Sequence, residues 1–226
     1  MKSSKIALIY GMIPSVEEIE QWSLAKEPYK VDIITSASIG EFLKKNIKHI
    51  LAPVYILPDH DENPTFLPGL ESVLKNYDVV IVKGHLGIYA YQAIKAKWRY
   101  RFKLLYMMDN LLPFPSEDIK RLKTIRDEVM RHADAFIVQT KSAQKTLNLE
   151  GVDDDKIFFI SPSILRKNSL ITKQDALQKL GLSITNRVIL FSGDVEWEEN
   201  LHSLLLSMTA LFQKNTRFKN ILKLLV

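Results

Sequence analysis

Apolar residues along this chain fall in short compact runs, and the stretches between them carry the spacing of amphipathic helices. The runs Lys5–Tyr10, Val31–Thr35, Val54–Leu57, Asp78–Val82, Lys103–Met107, Ala135–Val138 and Lys156–Ile160 read as strands. Most are nearly free of charge, as strands buried on both faces of a parallel sheet are. Helices are expected over Glu17–Ala25, Gly40–Ile50, after Gly87, from Ser116 to Ala133 and from Lys141 to the turn at Gly151. Two short apolar strands joined by one amphipathic helix form a parallel βαβ unit, and the stretch from Ile125 to Ile160 states it most clearly.

Local chemistry marks the boundaries. Thr140 is placed to cap a helix starting at Lys141, and Gly151 stands where that helix needs a positive φ to end. Glu117 and Asp118 are expected in the first turn of the helix from Ser116, where carboxylates suit the dipole. Its buried stripe is expected to be Ile119, Leu122, Ile125, Val129 and Met130. Thr172 and Asp175 form a capping box, with Gly181 closing the short helix that it opens. A further strand follows at Arg187–Phe191, then a helix over Glu199–Gln213 and an apolar run at Ile221–Val226. The expected fold class is therefore α/β, a Rossmann-like parallel sheet flanked by helices, with a truncated second α/β segment. Its expected division is a first domain over 1–163, a linker with a short helix over 164–186, and an incomplete segment of two strands and one helix over 187–226.

In open parallel sheets ligands bind beyond the carboxyl ends of the strands. Gly11, His85 and Asp109 all fall at such ends and are the candidate site residues. Gly11 serves either as a turn or as a point of close backbone approach to a phosphate. Asp109 is either a site carboxylate at a strand end or part of an Asx turn or cap near Leu111. His85 is either a base or a polar loop residue. His60 lies among Asp59, Asp61 and Glu62, a set whose geometry nothing fixes, so an exposed polar loop is expected there. The run Asp153 to Asp155 precedes a strand and reads as a solvated turn. No metal site is expected.

Composition narrows the partners. The chain has 226 residues, 46% apolar and 25% charged, which is globular. It contains no cysteine, which rules out disulfides and thiolate metal sites and suits a reducing compartment. A net charge of +5 favours an anionic partner. Nucleic acid is not expected, because no recognition motif accompanies the charge. No run is apolar and long enough to span a bilayer, and the opening MKSSKIALIY reads as a strand, not a signal peptide. A cytoplasmic chain is expected, peripheral at the inner face of the membrane where it touches lipid. Contact with an anionic membrane surface would use Phe42, Lys44, Lys45 and Lys48, or Lys97, Trp98, Arg99, Arg101 and Lys103.

The wording of several segments also carries information. The run Ala133 to Thr140, then Gly151-Val152 and Lys156-Ile157 with Ile160, then Leu180-Gly181-Leu182 and Arg187 to Gly193, resembles the GT-B-fold glycosyltransferases, in particular their retaining nucleotide-sugar family 4. The resemblance implies an acceptor-side N-terminal domain, and a donor-side domain whose first strand is Arg187–Phe191 and whose first loop contains Gly193. It implies a nucleotide-sugar co-substrate and no other cofactor, with a glycan or lipid-linked acceptor. Asp109 and His85 become the catalytic candidates; Gly11, Gly84, Asn110 and Gly193 become the acceptor- and donor-binding ones.

The sequence departs from that pattern at several positions. Members often carry a glycine pair in the first loop, where this chain has Gly11 without a second glycine. They commonly place a histidine after the strand matching Lys103–Met107, where this chain has Asp109 and Asn110. The arginine and lysine that neutralise the donor diphosphate are replaced by Asp194 and Glu199, with Glu196 and Glu198 close by. The expectation is thus the acceptor-binding half of a sugar-transferring enzyme, weakly active alone or completed by a partner chain that supplies the donor domain. The alternative is a non-catalytic binding module on the same fold.

Overall fold

A computed structural model describes residues 4–14, 18–19, 22, 28–46, 52–60, 63–109, 112–115, 117–160, 171–192 and 198–225. The chain packs as two units, Met1–Leu165 and Arg166–Val226. In the first unit the strands are β1 (Ser4–Tyr10), β2 (Tyr29–Ser36), β3 (Val54–Leu57), β4 (Val79–Lys83), β5 (Lys103–Met108), β6 (Ala135–Val138) and β7 (Ile157–Phe159). Its helices are α1 (Ala37–Asn46), α2 (Leu70–Leu74), α3 (Ile88–Arg99), α4 (Lys120–His132) and α5 (Lys141–Leu149).

All seven strands form one parallel sheet in the order β3-β2-β1-β4-β5-β6-β7. This is the expected Rossmann-like α/β architecture, a parallel sheet flanked by helices. The strand period of two divides the apolar residues between the faces. Ala7, Ile9, Val80, Val82, Leu104, Tyr106, Phe136 and Val138 enter one core with α2, α3, α4 and α5. Leu8, Tyr10, Ile33, Ile81, Met107 and Ile137 enter the other with Ile39 and Leu43 of α1.

Thr140 caps α5 as its position requires, accepting the Ala143 N–H at 3.0 Å. Gly151 follows with φ of 87°. Two expectations are corrected. The helix from Ser116 starts only at Lys120, with no acid in its first turn. Glu117 lies ahead of it, engaged with Lys123 and Arg126, and Ile119 is exposed. The last strand is no buried strand: β7 is the sheet edge, and Phe158, Phe159 and Ile160 are about half exposed. Helix α2 was not legible in the apolar pattern; it is short and enters through Gly69 at φ of 81°. The helix expected over Glu17–Ala25 lies largely outside the described residues, as does the run from Ile47 to Ile50.

The second unit holds α6 (Lys173–Lys179), β8 (Arg187–Leu190), α7 (Glu198–Lys214), α8 (Phe218–Ile221) and β9 (Leu222–Leu225). Thr172 caps α6, accepting the Asp175 N–H at 3.2 Å, and its hydroxyl donates to the Asp175 carboxylate at 2.7 Å. Strands β8 and β9 pair in parallel around α7 and α8.

At the amino ends of the first unit's strands, single carboxylates bind adjacent elements. Asp134 accepts the Leu104 N–H and the Lys97 ammonium, both at 2.7 Å. Burial opposes its charge, yet the Leu104 N–H and Lys97 hold its carboxyl below the usual range. Asp134→Ala is expected to cost about 2 kcal/mol in urea unfolding, since a strand N–H and a half-buried lysine both lose their acceptor. Asp134→Asn, which keeps an acceptor for Leu104, should lose less. Equal stability of Asp134→Ala and the parent would contradict this role.

Candidate functional site

The strand order reverses between β1 and β4, and such a switch point opens a crevice at the carboxyl ends of the two strands. Gly11 leaves β1 on one side of it, and Gly84 leaves β4 on the other. The Tyr89 ring lies in this space. A Cβ on Gly11 would stand 1.9 Å from Tyr89 Cε1, and one on Gly87 would stand 2.1 Å from the same atom. A Cβ on Gly84, whose φ is +83°, would stand 2.8 Å from the Tyr89 hydroxyl oxygen. That hydroxyl donates to the Lys83 carbonyl at 2.8 Å, and the Gly84 N–H donates to the Met107 carbonyl at 3.0 Å. Three glycines therefore leave room for one tyrosine, and the first strand loops are shaped around it.

Lys83 closes the same edge from its side chain. Its ammonium lies 2.5 Å from Asp109 and 3.4 Å from Glu18. The lysine is largely buried, whereas the Asp109 side chain is 44% exposed. Asp109 is thus oriented by its partner yet open to solvent. Two carboxylates on one lysine leave the edge net acidic, which does not suit a phosphate clamp. Tyr10 lies close by at the end of β1; burial first, then the Glu18 carboxylate, push its phenol well above the ordinary value.

Behind Asp109, a second ionic knot holds the loop that follows β5. Arg126 on α4 has a buried side chain paired with Glu117 at 2.7 Å and Asp127 at 3.0 Å, and its guanidinium lies 5.3 Å from the Phe114 ring centroid. Phe114 takes φ of 53°, a strained value for a bulky residue, and its N–H donates to Glu150 at 2.6 Å. Burial pushes the Glu150 carboxyl up, against the pull of the Phe114 N–H and Arg126. His85 is buried beside this charge. Burial first, and then the Arg126 guanidinium, lower its pKa to about 4, so its imidazole is neutral at neutral pH.

The sheet therefore brings Gly11, Gly84, His85 and Asp109 to one edge. Asn110 and Gly193 lie outside the described residues. Asp109 makes the Lys83 pair at the strand end, and His85 is a buried loop residue, not a solvated one. Asp59 accepts the Ser38 N–H and hydroxyl at 3.0 and 3.1 Å, and His60 packs edge-on against Phe66. Among the described residues, no group of three or more His, Asp or Glu side chains is placed to hold a metal ion, and no helix is long and apolar enough to cross a membrane. Sequence reading missed Lys83, Tyr89, Arg126 and Glu150. Only Arg126 left a signal, a charge set inside the buried stripe between Ile125 and Val129.

A model of Glycosyltransferase Family 4 matches residues 22–164. Among solved structures, Anabaena Alr3699/HepE in complex with UDP superposes with a TM-score of 0.63 at 15% identity, covering 98% of this chain and 68% of that one. A UDP-GlcNAc 2-epimerase from Methanocaldococcus jannaschii gives 0.61 at 18% identity, covering 98% and 65%. A protein assigned as UDP-N-acetylglucosamine 2-epimerase from Listeria monocytogenes gives 0.62 at 20% identity, covering 99% and 62%. This chain thus spans 62% to 68% of the length of these three structures. At these identities the shared property is the fold. No curated protein matches the chain.

The buried neutral His85 makes stability depend on pH. Unfolded, its imidazole binds a proton near pH 6.5; folded, it does so only near 4. The His85 contribution is therefore present above about pH 6.5 and is lost as the pH falls towards 4, by about 3 kcal/mol in all. His85→Gln should flatten the loss of urea stability over that interval relative to the parent. An unchanged slope in the variant would show that His85 titrates normally.

Proposed function

This chain belongs to Glycosyltransferase Family 4, and from that premise we propose that it supplies the acceptor-side domain for transfer of a sugar from a nucleotide-sugar donor. The observation that carries the reading is the carboxyl edge of β1, β4 and β5, where an oriented but open Asp109 stands at the end of its strand. Solved structures of the same fold support it, since Alr3699/HepE is seen with UDP, with UDP and glucose, and with UDP-glucose.

In this reading Asp109 accepts a hydrogen bond from the acceptor hydroxyl. The hydroxyl oxygen bonds to the anomeric carbon as the bond to the diphosphate breaks. The nucleoside diphosphate leaves, and the hydroxyl proton passes to Asp109 and then to solvent. Lys83 holds the carboxylate in place, and Glu18 is the second partner of that lysine. His85 and Arg126 act as positioning residues for the loops around it. Gly11 and Gly84 give the Tyr89 ring its room at the edge beside Asp109. Gly193 would serve the donor side, in a segment whose acidic residues Asp194, Glu196 and Glu199 disfavour a bare diphosphate. Those acids favour a second reading, a binding module that keeps the fold without the chemistry. Where transfer occurs, cations from outside this segment would have to offset those acids.

Isothermal titration with UDP, GDP and their sugars separates these readings, on the chain alone and with a candidate donor-side chain. Binding in either arm, with transfer to an acceptor, supports the proposal. Asp109→Asn should then reduce kcat by roughly a hundredfold with little change in KM. Silence in both arms, or full transfer by Asp109→Asn, would contradict it.

A further inference from the structure

Helix α7 of the second unit lacks the outer charge that a solvated helix carries. It runs 17 residues from Glu198 to Lys214, about 25 Å at the usual rise. No Asp, Glu, Lys or Arg stands between Leu201 and Gln213. Its more buried stripe is Leu201, Leu204, Met208 and Phe212, at the spacing of one helix face. The rest of the circumference is exposed, and it includes Leu205, Leu206 and Leu211. Leu206, on the side opposite the buried stripe, is 58% exposed. A helix that meets water on its outer face normally carries charge there. Helix α4 of the first unit does so, with a charged residue in every turn.

Two hydroxyls on the outer face of α7 are satisfied within the helix. Ser207 donates to the Ser203 carbonyl at 2.8 Å, and Thr209 donates to the Leu205 carbonyl at 2.9 Å. Both can leave water with a hydrogen bond intact, which removes the usual cost of covering a hydroxyl. Ser203 and Ala210 lie one turn before and after Leu206 on the same face, and both are small. Small flanks let two helix axes approach to the short end of the usual range of about 8–10 Å, with each leucine packed along the other backbone.

We propose that the outer face of α7 pairs with the same face of a second copy of this chain, antiparallel about a two-fold axis at Leu206. Leu206 is the middle residue of the helix, so such an axis sets it against Leu206 of the partner subunit and uses the full length of both helices. By sequence the helix opens on Glu198 and Glu199 and closes on Lys214. The antiparallel arrangement sets the acidic start of each helix beside the basic end of the other, with the two dipoles antiparallel. Along the face between these ends no like charges meet, because it carries none. A parallel pair would bring acid to acid and base to base, and a charged partner would find no counter-charge on this face. One helix pair of this length buries less than the standard interface of about 1,600 Å². The association is therefore reversible, with a Kd of roughly 10–100 µM.

Sedimentation velocity of the full chain from about 1 µM to about 1 mM spans that range and should show monomer passing to dimer. Leu206→Lys puts a charge from each chain at the axis and should weaken dimerisation about tenfold or more. It should unfold in urea as the parent does, because Leu206 is exposed in the single chain. The absence of cysteine allows a second measurement that does not depend on that variant. Leu206→Cys should couple to itself through a short bis-maleimide, and Leu180→Cys, similarly exposed at the end of α6, should not. A chain that stays monomeric throughout, a dimer unchanged by Leu206→Lys, or equal coupling of the two cysteine variants would overturn the proposal. So would a monomer that sediments with phosphatidylcholine vesicles through Leu206, which would make this face a lipid contact. Neither measurement involves sugar transfer, so the dimer and the acceptor-side reading stand or fall separately.

Discussion

The placing of one aromatic ring sets the rest of the carboxyl edge. Tyr89 fills the crevice where the strand order reverses, and no side chain larger than hydrogen fits at Gly11 or Gly87 while it is there. Its hydroxyl fastens to the Lys83 carbonyl, at the last residue of β4. From there the lysine side chain turns to Glu18 and Asp109. The position of the exposed carboxylate thus follows from the tyrosine, the three glycines around it and the lysine between them. A crevice that in a nucleotide-binding sheet would admit a ligand is here closed by the protein itself. What remains open is the rim beside it, where Asp109 meets solvent and α3 begins.

Charge is divided between two kinds of place. Lys83 and Arg126 are both largely buried and each faces two carboxylates, so their charge serves positioning and not recognition. Removing one partner from such a pair leaves an uncompensated buried charge and is therefore destabilising. Lys120 and Arg121, in the first turn of α4, are exposed and make no ion pair among the described residues. The basic excess of the chain therefore has a local expression on the α3–α4 face, next to the carboxyl edge, and not at the edge itself.

Much of this framework was legible in the sequence because it depends on local chemistry. The apolar runs marked every strand of the first unit to within a few residues, and Thr140 and Thr172 marked helix starts through a hydroxyl three positions before an amide that needs it. The carboxyl-end rule placed Gly11, His85 and Asp109 together from topology alone. What sequence could not carry is long-range. Tyr89 meets Gly11 across nearly half of the first unit's length, and Glu150 meets Phe114 across α4, β6 and α5. The late start of α4 has the same origin, since Glu117 turns towards Arg126 and Lys123 in place of the helix end. The half-exposed β7 reflects its place at the sheet edge, which no local pattern encodes.

The most direct measurement is a double-mutant cycle on unfolding free energy with Gly11→Ala and Tyr89→Ala. If the ring sets the crevice, Gly11→Ala should be strongly destabilising beside Tyr89 and far milder beside the alanine, with a coupling of at least about 1 kcal/mol. Strictly additive losses would show that Gly11 and Tyr89 act independently, and that the carboxyl edge is not organised around the tyrosine.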